Sequence, residues 1–176
     1  MVDLRALVRS IPDYPKPGIM FRDITTLIED AAGFRQTITD LAAQYRTAEL
    51  THVAGIEARG FIFGAALAIE LGVGFIPVRK KGKLPGNTIG QNYALEYGAD
   101  TIEIHDDVLN ADHRVVVCDD LIATGGTAVA AIQLLRRTGA QVGDACFVID
   151  LFDLGGAERL RQLDVDVFKL IDFAGH

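Results

Sequence analysis

The sequence holds only two cysteines, too few for a disulfide framework, and Cys118 and Cys146 both sit in apolar runs where they read as small buried core residues. No apolar run reaches membrane-spanning length. The opening MVDLRALVRS carries an acid early and lacks the apolar core of a secretion signal. Basic residues are sparse: 17 Lys and Arg stand against 24 Asp and Glu, for a net charge of −7, and the only dense basic run lies at 79–83. A general nucleic-acid binder needs a basic face for phosphate contacts, so that class is disfavoured, as is a membrane protein. His52, His105, His113 and His176 show no zinc spacing and read as structural or exposed. Repeats, low-complexity tracts and interdomain linkers are also missing. What remains is a cytoplasmic enzyme or binding module, a single domain over residues 1–176. With 49% apolar and 23% charged residues, it has an ordinary globular composition and enough length for a real core.

The pattern that is present alternates. Leu4, Leu7, Val8 and Ile11 fall at helical spacing over Val2 to Arg9, and Pro12, Pro15 and Pro17 then force a loop. Asp30 is placed to cap a helix carrying Phe34, Ile38, Leu41, Ala42 and Tyr45 on one face. THVAGI (51–56) reads as a buried strand, EARG (57–60) as a loop, and Phe61 to Leu71 as a helix stopped by Gly72. GFIPVR (74–79) is the next strand. IGQNYALEY (89–97) and TIEIH (101–105) read as a hairpin laid outside the main pattern. A valine strand from 114, a helix over Ala128 to Leu135, a strand at 144–151, a short helix before Leu163 and a strand at 165–171 complete the series. Strands alternating with helices imply an α/β fold, a mostly parallel sheet with helices on both faces.

One stretch carries chemistry. In RVVVCDDLIATGGTAVAAI (114–132), two adjacent carboxylates stand at the mouth of a strand, directly before a Thr-Gly-Gly-Thr turn. Ligands of such sheets bind at the carboxyl ends of the strands, where loops enter helices. Gly125 and Gly126 permit close backbone approach, Thr124 and Thr127 offer hydroxyls, and the open amides of the next helix suit a phosphate. The loop is not a Walker A motif, since the spacing and its lysine are missing, and Gly72-Val73-Gly74 precedes a strand rather than following one. Asp119 and Asp120 lie within a sugar's length of the loop, and carboxylates are good acceptors for vicinal hydroxyls. A phosphorylated ribose fits both features. The identical pair Asp106-Asp107, in a polar stretch with no valine strand before it or glycine turn after it, reads only as solvated surface.

VVVCDDLIATGGT resembles the 5-phosphoribosyl 1-diphosphate (PRPP) signature of type I phosphoribosyltransferases. YPKPGIMFRDIT, GIEARGFIFG, RKKGKLPG and YALEYG, in that order between about residues 10 and 150, resemble the adenine branch of that superfamily. Cys118 departs from the aliphatic residue common at its place, and the chain stops soon after its last strand. The resemblance implies the type I phosphoribosyltransferase fold, with a small hood and a β-hairpin lid. It implies transfer of the phosphoribosyl group from PRPP to adenine, giving AMP and pyrophosphate as purine salvage, with Mg²⁺ and in a homodimer. Mg²⁺ keeps waters and leans on substrate oxygens, so no direct protein ligand is expected.

The resemblance also assigns residues. Ala123, Thr124, Gly125, Gly126 and Thr127 would hold the phosphate, and Asp119 and Asp120 the ribose hydroxyls. Arg59, with the backbone of Ala58 and Gly60, would grip the diphosphate as its charge develops, and a non-proline cis peptide is expected near Glu57-Ala58. Arg79 and Lys83 would reach the diphosphate, partly from the neighbouring subunit, although a charge run taken alone is usually a solvated loop. Met20, Phe21 and Arg22 would meet the Watson–Crick edge of adenine with backbone groups while the ring of Phe21 stacks on the base. On residue pattern alone Phe21 reads equally as a core aromatic. Glu96 would transfer the purine proton from the lid, beside Tyr97, where pattern alone gives only an exposed strand residue. Two other readings stand beside this one: a phosphoribosyltransferase for xanthine, hypoxanthine or guanine, and a non-catalytic PRPP-sensing regulator. A bare nucleotide-binding module would need neither Arg59 nor a lid.

Overall fold

A computed structural model describes residues 2–94 and 98–175. A seven-stranded sheet forms the centre. Its strands are β3 (His52–Ile56), β4 (Gly74–Lys80), β5 (Thr88–Ala94), β6 (Ala99–His105), β7 (Arg114–Ile122), β8 (Gln141–Leu151) and β9 (Asp166–Phe173), in the spatial order β5-β6-β4-β3-β7-β8-β9. The stretch from β4 through β3, β7 and β8 to β9 is parallel. A two-stranded antiparallel ribbon, β1 (Arg9–Ile11) with β2 (Phe21–Asp23), stands apart as the hood.

The sheet is apolar on both faces because its strands alternate between two cores. On β7, Val115 and Val117 face one cluster with α4 (Gly126–Arg136) and α5 (Gly156–Arg161), while Val116 and Cys118 face the other with α2 (Ala31–Tyr45) and α3 (Gly60–Leu71). Such two-sided burial explains why the strand reads as a continuous valine run. Asp30 caps α2 by accepting from the Gly33 amide at 2.7 Å. Gly72, in the left-handed region at φ 70°, ends α3. A short helix, α1 (Thr25–Glu29), follows the hood and buries Leu27.

Three expectations are corrected. Val2 to Arg9 is not a helix: Leu4 to Val8 forms turns, and Arg9 enters β1. The spacing of Leu4, Leu7 and Val8 reflects packing on the α2–α3 core, and a strand partner at Phe21–Asp23 outcompetes the helix. The hairpin β5–β6 does not lie outside the sheet; β6 pairs antiparallel with β4 and makes the hairpin its edge. The valine strand does not end before the acids either. β7 runs through Asp119 and Asp120 to Ile122, paired with β8 as far as Ile122↔Asp150.

The strand order sets the site. From β3 the chain winds through α3 to β4 on one side, and from β7 through α4 and α5 to β9 on the other. The winding direction reverses between β3 and β7, and the loops leaving their carboxyl ends part around a crevice, the usual ligand position in open α/β sheets.

Candidate active site

The loop after β3 and the end of β7 are drawn together by a glycine. A Cβ on Gly60 would lie 2.6 Å from Asp119 Oδ1 and 2.9 Å from the Cys118 carbonyl, so only glycine lets the amino terminus of α3 press on β7. The Glu57–Ala58 peptide just before it is cis, as expected. Arg59 reaches across the crevice, with its Nε 2.9 Å from Asp120 Oδ2. The pair is not aligned as a hydrogen bond, so that buried oxygen keeps its accepting capacity.

A cavity of about 290 Å³ opens here, lined by Arg59, by Asp119 through Ala128, and by Tyr93 and Ala94 of β5. Among the described residues lining it, Arg59 is the only cation. The two acids share an electrostatically poor position. Burial pushes the Asp119 carboxyl well above the usual carboxylate range, and the neighbouring Asp120 pushes it further. Burial also raises Asp120, which is only 3% exposed, and the Arg59 charge works against that rise. Such a pair calls for hydrogen-bond donors or a cation from a ligand.

At the other end, Gly125 opens α4 in the left-handed region at φ 78° with no side chain capping the helix, so its first amides stay open. A Cβ on Gly125 would come within 2.9 Å of the Gly156 carbonyl, and Gly156 donates its amide to the Ala123 carbonyl at 3.0 Å. Arg159 donates to the Thr124 carbonyl at 2.7 Å. The phosphate-type loop is thus backed by the start of α5.

The hood reaches the crevice through Phe21, whose ring lies 5.6 Å from the Arg59 guanidinium carbon and 5.1 Å from the Tyr14 ring. Met20, Phe21 and Arg22 do not line the cavity itself. The Arg22 side chain turns away from the cavity, donating to Ser10 Oγ at 2.5 Å and to the Ala174 carbonyl at 2.9 Å, and the residue pairs with Ser10 in the hood ribbon. Arg79 is engaged by Glu57 (Nε to Oε2, 3.2 Å) and donates to the Lys83 carbonyl at 2.9 Å, which shapes the 80–83 turn. Lys83 is exposed, and neither residue lines the cavity. Glu96 and Tyr97 lie outside the described residues.

A family profile described as phosphoribosyl transferase domain matches residues 25–176. An adenine phosphoribosyltransferase of Methylobacterium sp. (strain 4-46) is 60% identical over 173 residues, covering 98% of this chain and 96% of the relative. The chain belongs to the adenine phosphoribosyltransferase family. Among solved structures, the adenine phosphoribosyltransferase of Thermoanaerobacter pseudethanolicus superposes with a TM-score of 0.93 at 45% identity, covering 97% of this chain and 98% of that one. The enzyme of Giardia lamblia, complexed with 9-deazaadenine, gives 0.92 at 35% identity over 97% and 96% of the two chains.

The contacts of the site bring in three further residues, none of which the sequence reading singled out. Tyr93 lines the cavity from the hairpin, and its hydroxyl sits 3.3 Å from Asp100 Oδ2, which also pairs with Lys80 Nζ at 3.3 Å. Gly156 and Arg159 brace the phosphate-type loop. The glycine pair at 155–156 after a strand was a readable signal for close backbone approach. Tyr93 stood inside the segment YALEYG, and nothing local marked Arg159.

Proposed function

We infer that this chain is an adenine phosphoribosyltransferase, forming AMP and pyrophosphate from adenine and PRPP. The observation that carries the assignment of parts is the single crevice at the β3–β7 reversal, where an acid pair, an uncapped glycine-rich helix start and one arginine meet. In this reading the 5-phosphate sits on the amides of 124–127 and the ribose hydroxyls donate to Asp119 and Asp120. Arg59 faces the diphosphate, with the backbone of Ala58 and Gly60 and the cluster of Arg79 and Lys83 nearby.

The reaction asks little covalent chemistry of the protein. N9 of adenine bonds to the anomeric carbon of the ribose as the bond from that carbon to the diphosphate oxygen breaks, and the electron pair leaves with pyrophosphate. Positive charge grows on the sugar and negative charge on the leaving group, so Arg59 contributes by being fixed in place beforehand. The proton shed by the purine goes to Glu96. Glu96→Gln tests that role: kcat should fall while PRPP affinity, titrated directly, stays unchanged. Backbone groups at Met20, Phe21 and Arg22 read the base edge, and the Phe21 ring stacks on it.

Mg²⁺ accompanies PRPP. The described residues contain no group of three or more acids, histidines and cysteines able to hold a metal. Asp119 and Asp120 are hard oxygen donors lining the cavity, and Asp120 Oδ2 has a free lone pair, which suits accepting from metal-bound water. When bound, the ion neutralises part of the diphosphate charge.

The chain works as a homodimer in the cytoplasm. Supporting this, α3 exposes Ile69 (83%) and Ile62 (40%) on its outer face, an apolar stripe suited to a second copy. No helix among the described residues is long and apolar enough to cross a membrane.

One assay tests the assignment. With PRPP and Mg²⁺, adenine should give its mononucleotide at least ~10²-fold more efficiently than hypoxanthine or guanine, whose O6 would face a fixed backbone acceptor. Comparable kcat/KM for adenine and hypoxanthine would remove the adenine assignment.

A further inference from the structure

A loop that binds phosphate through its backbone must do two things: show its amides and hide its carbonyls. In the loop 123–127 two successive carbonyls are hidden by the same element. The Ala123 carbonyl accepts from the Gly156 amide at 3.0 Å, and the Thr124 carbonyl accepts from the Arg159 guanidinium at 2.7 Å. Both donors belong to α5, and no residue of α5 lines the cavity. In a planar trans peptide the N–H points opposite to the C=O. Holding these carbonyls toward α5 therefore turns the amides of Thr124 and Gly125 to the side away from it.

The two donors differ in kind. Gly156 is a buried backbone contact with no room for a side chain. Arg159 is an exposed side chain of a six-residue helix. Its guanidinium is also a full positive charge one hydrogen bond from a loop whose five residues carry none.

We propose that Arg159 is a positioning residue for the phosphate seat, orienting the Thr124–Gly125 peptide and adding a cation behind it without touching the reacting atoms. The inference rests on reading loop 123–127 as the place of the 5-phosphate. It predicts a defect confined to ligands that carry that phosphate.

The test compares Arg159→Ala and Arg159→Lys with wild type by direct titration of ribose 5-phosphate, AMP and pyrophosphate, alongside PRPP kinetics and thermal melts. For Arg159→Ala, affinity for ribose 5-phosphate and AMP should weaken by roughly ten-fold, the scale of a charge-assisted hydrogen bond at an exposed site. KM for PRPP should rise with kcat little changed, pyrophosphate affinity and the melting temperature should hold, and Arg159→Lys should recover part of the loss. Undiminished ribose 5-phosphate affinity in Arg159→Ala would overturn the proposal. So would an equal loss for pyrophosphate, which marks general damage. If wild-type protein binds pyrophosphate but neither AMP nor ribose 5-phosphate, the seat itself is misplaced and the inference falls with it.

Discussion

The two ends of the cavity are built from different material. At the phosphate end the ligand would meet backbone: residues 123–127 carry no formal charge, and their shape is set by glycines packed against α5. At the opposite end side chains dominate, with Arg59 set against Asp120 inside the cavity and the Phe21 ring against Arg59 just outside it. A seat made of backbone fails when atoms are added to it. A seat made of side chains fails when charge is removed. The contrast can be tested by damaging each end in the way that should hurt it most.

The largest effect should come from removing the one cation of the charged end. Arg59→Ala takes away a prearranged partner for the leaving group, so kcat/KM for PRPP should drop ~10²–10³-fold. It also leaves the buried Asp120 carboxylate without its counter-ion. Steady-state kinetics and a pyrophosphate titration check it, and a loss below about threefold would show that the leaving group is held elsewhere.

The acids between the two ends should come next. Asp119→Asn and Asp120→Asn each replace a charged acceptor with a neutral one of the same shape. Each should lower kcat/KM for PRPP by ~10- to 100-fold, the range for a hydrogen bond to a charged group. Unchanged kinetics in both variants would give the pair a purely structural role.

At the backbone end the matching experiment adds a methyl group. In Gly156→Ala the new Cβ would run into the Ala123 carbonyl and lie 2.8 Å from the Gly125 nitrogen. Overpacking of this kind costs about 1–3 kcal/mol, and the loop rather than the strand is free to give. KM for PRPP should rise by roughly ten-fold, with pyrophosphate affinity kept. Equal damage to both ligands would mean that the two ends are one mechanical unit.

The same contrast explains what the sequence disclosed. The strands β3 to β9, the helices α2 to α5 and the acid–glycine loop were legible because each is marked locally by an apolar period, a cap or a turn, whereas the hood strands β1 and β2 carry no such mark. Arg59 and Phe21 were named from a resemblance, but their contact joins the hood to the residue just before α3, and no local pattern encodes it. The Arg159–Thr124 bond spans 35 residues and the Arg22–Ala174 bond spans 152, so both were invisible for the same reason. The helix expected over Val2 to Arg9 failed where a real periodicity served a different end: Leu4 and Leu7 anchor turns on the core, and β1 finds its partner beyond the proline loop. The place of the hairpin in the sheet also depended on a pairing, β6 with β4, that the strand pattern alone does not specify.

The smallest effect concerns stability, and its sign separates site from scaffold. Burial and the adjacent Asp120 raise the Asp119 carboxyl well above its ordinary range in the unliganded fold. A carboxyl raised on folding favours the protonated native state. Its stabilising contribution is complete below the unfolded value near ~3.9 and is lost as pH climbs through the folded one. Raising the pH toward neutrality therefore costs the native state stability through this carboxyl. Asp119→Asn removes the titrating group, and its remaining side-chain oxygen can still accept from the Asp120 amide, a contact that is 2.9 Å long in the native protein. The variant should thus melt above wild type at pH 7 to 8, with the gap shrinking as pH falls toward 4. About 1 kcal/mol moves the midpoint of a chain this size by roughly 2–4 °C, so a gap of a few degrees is the signal to seek. Saturating AMP should narrow the gap, because ribose hydroxyls donate to the ionised acids and repay their burial only in wild type. Parallel melting curves across pH would show that Asp119 ionises without strain. A gap indifferent to AMP would place the ribose elsewhere.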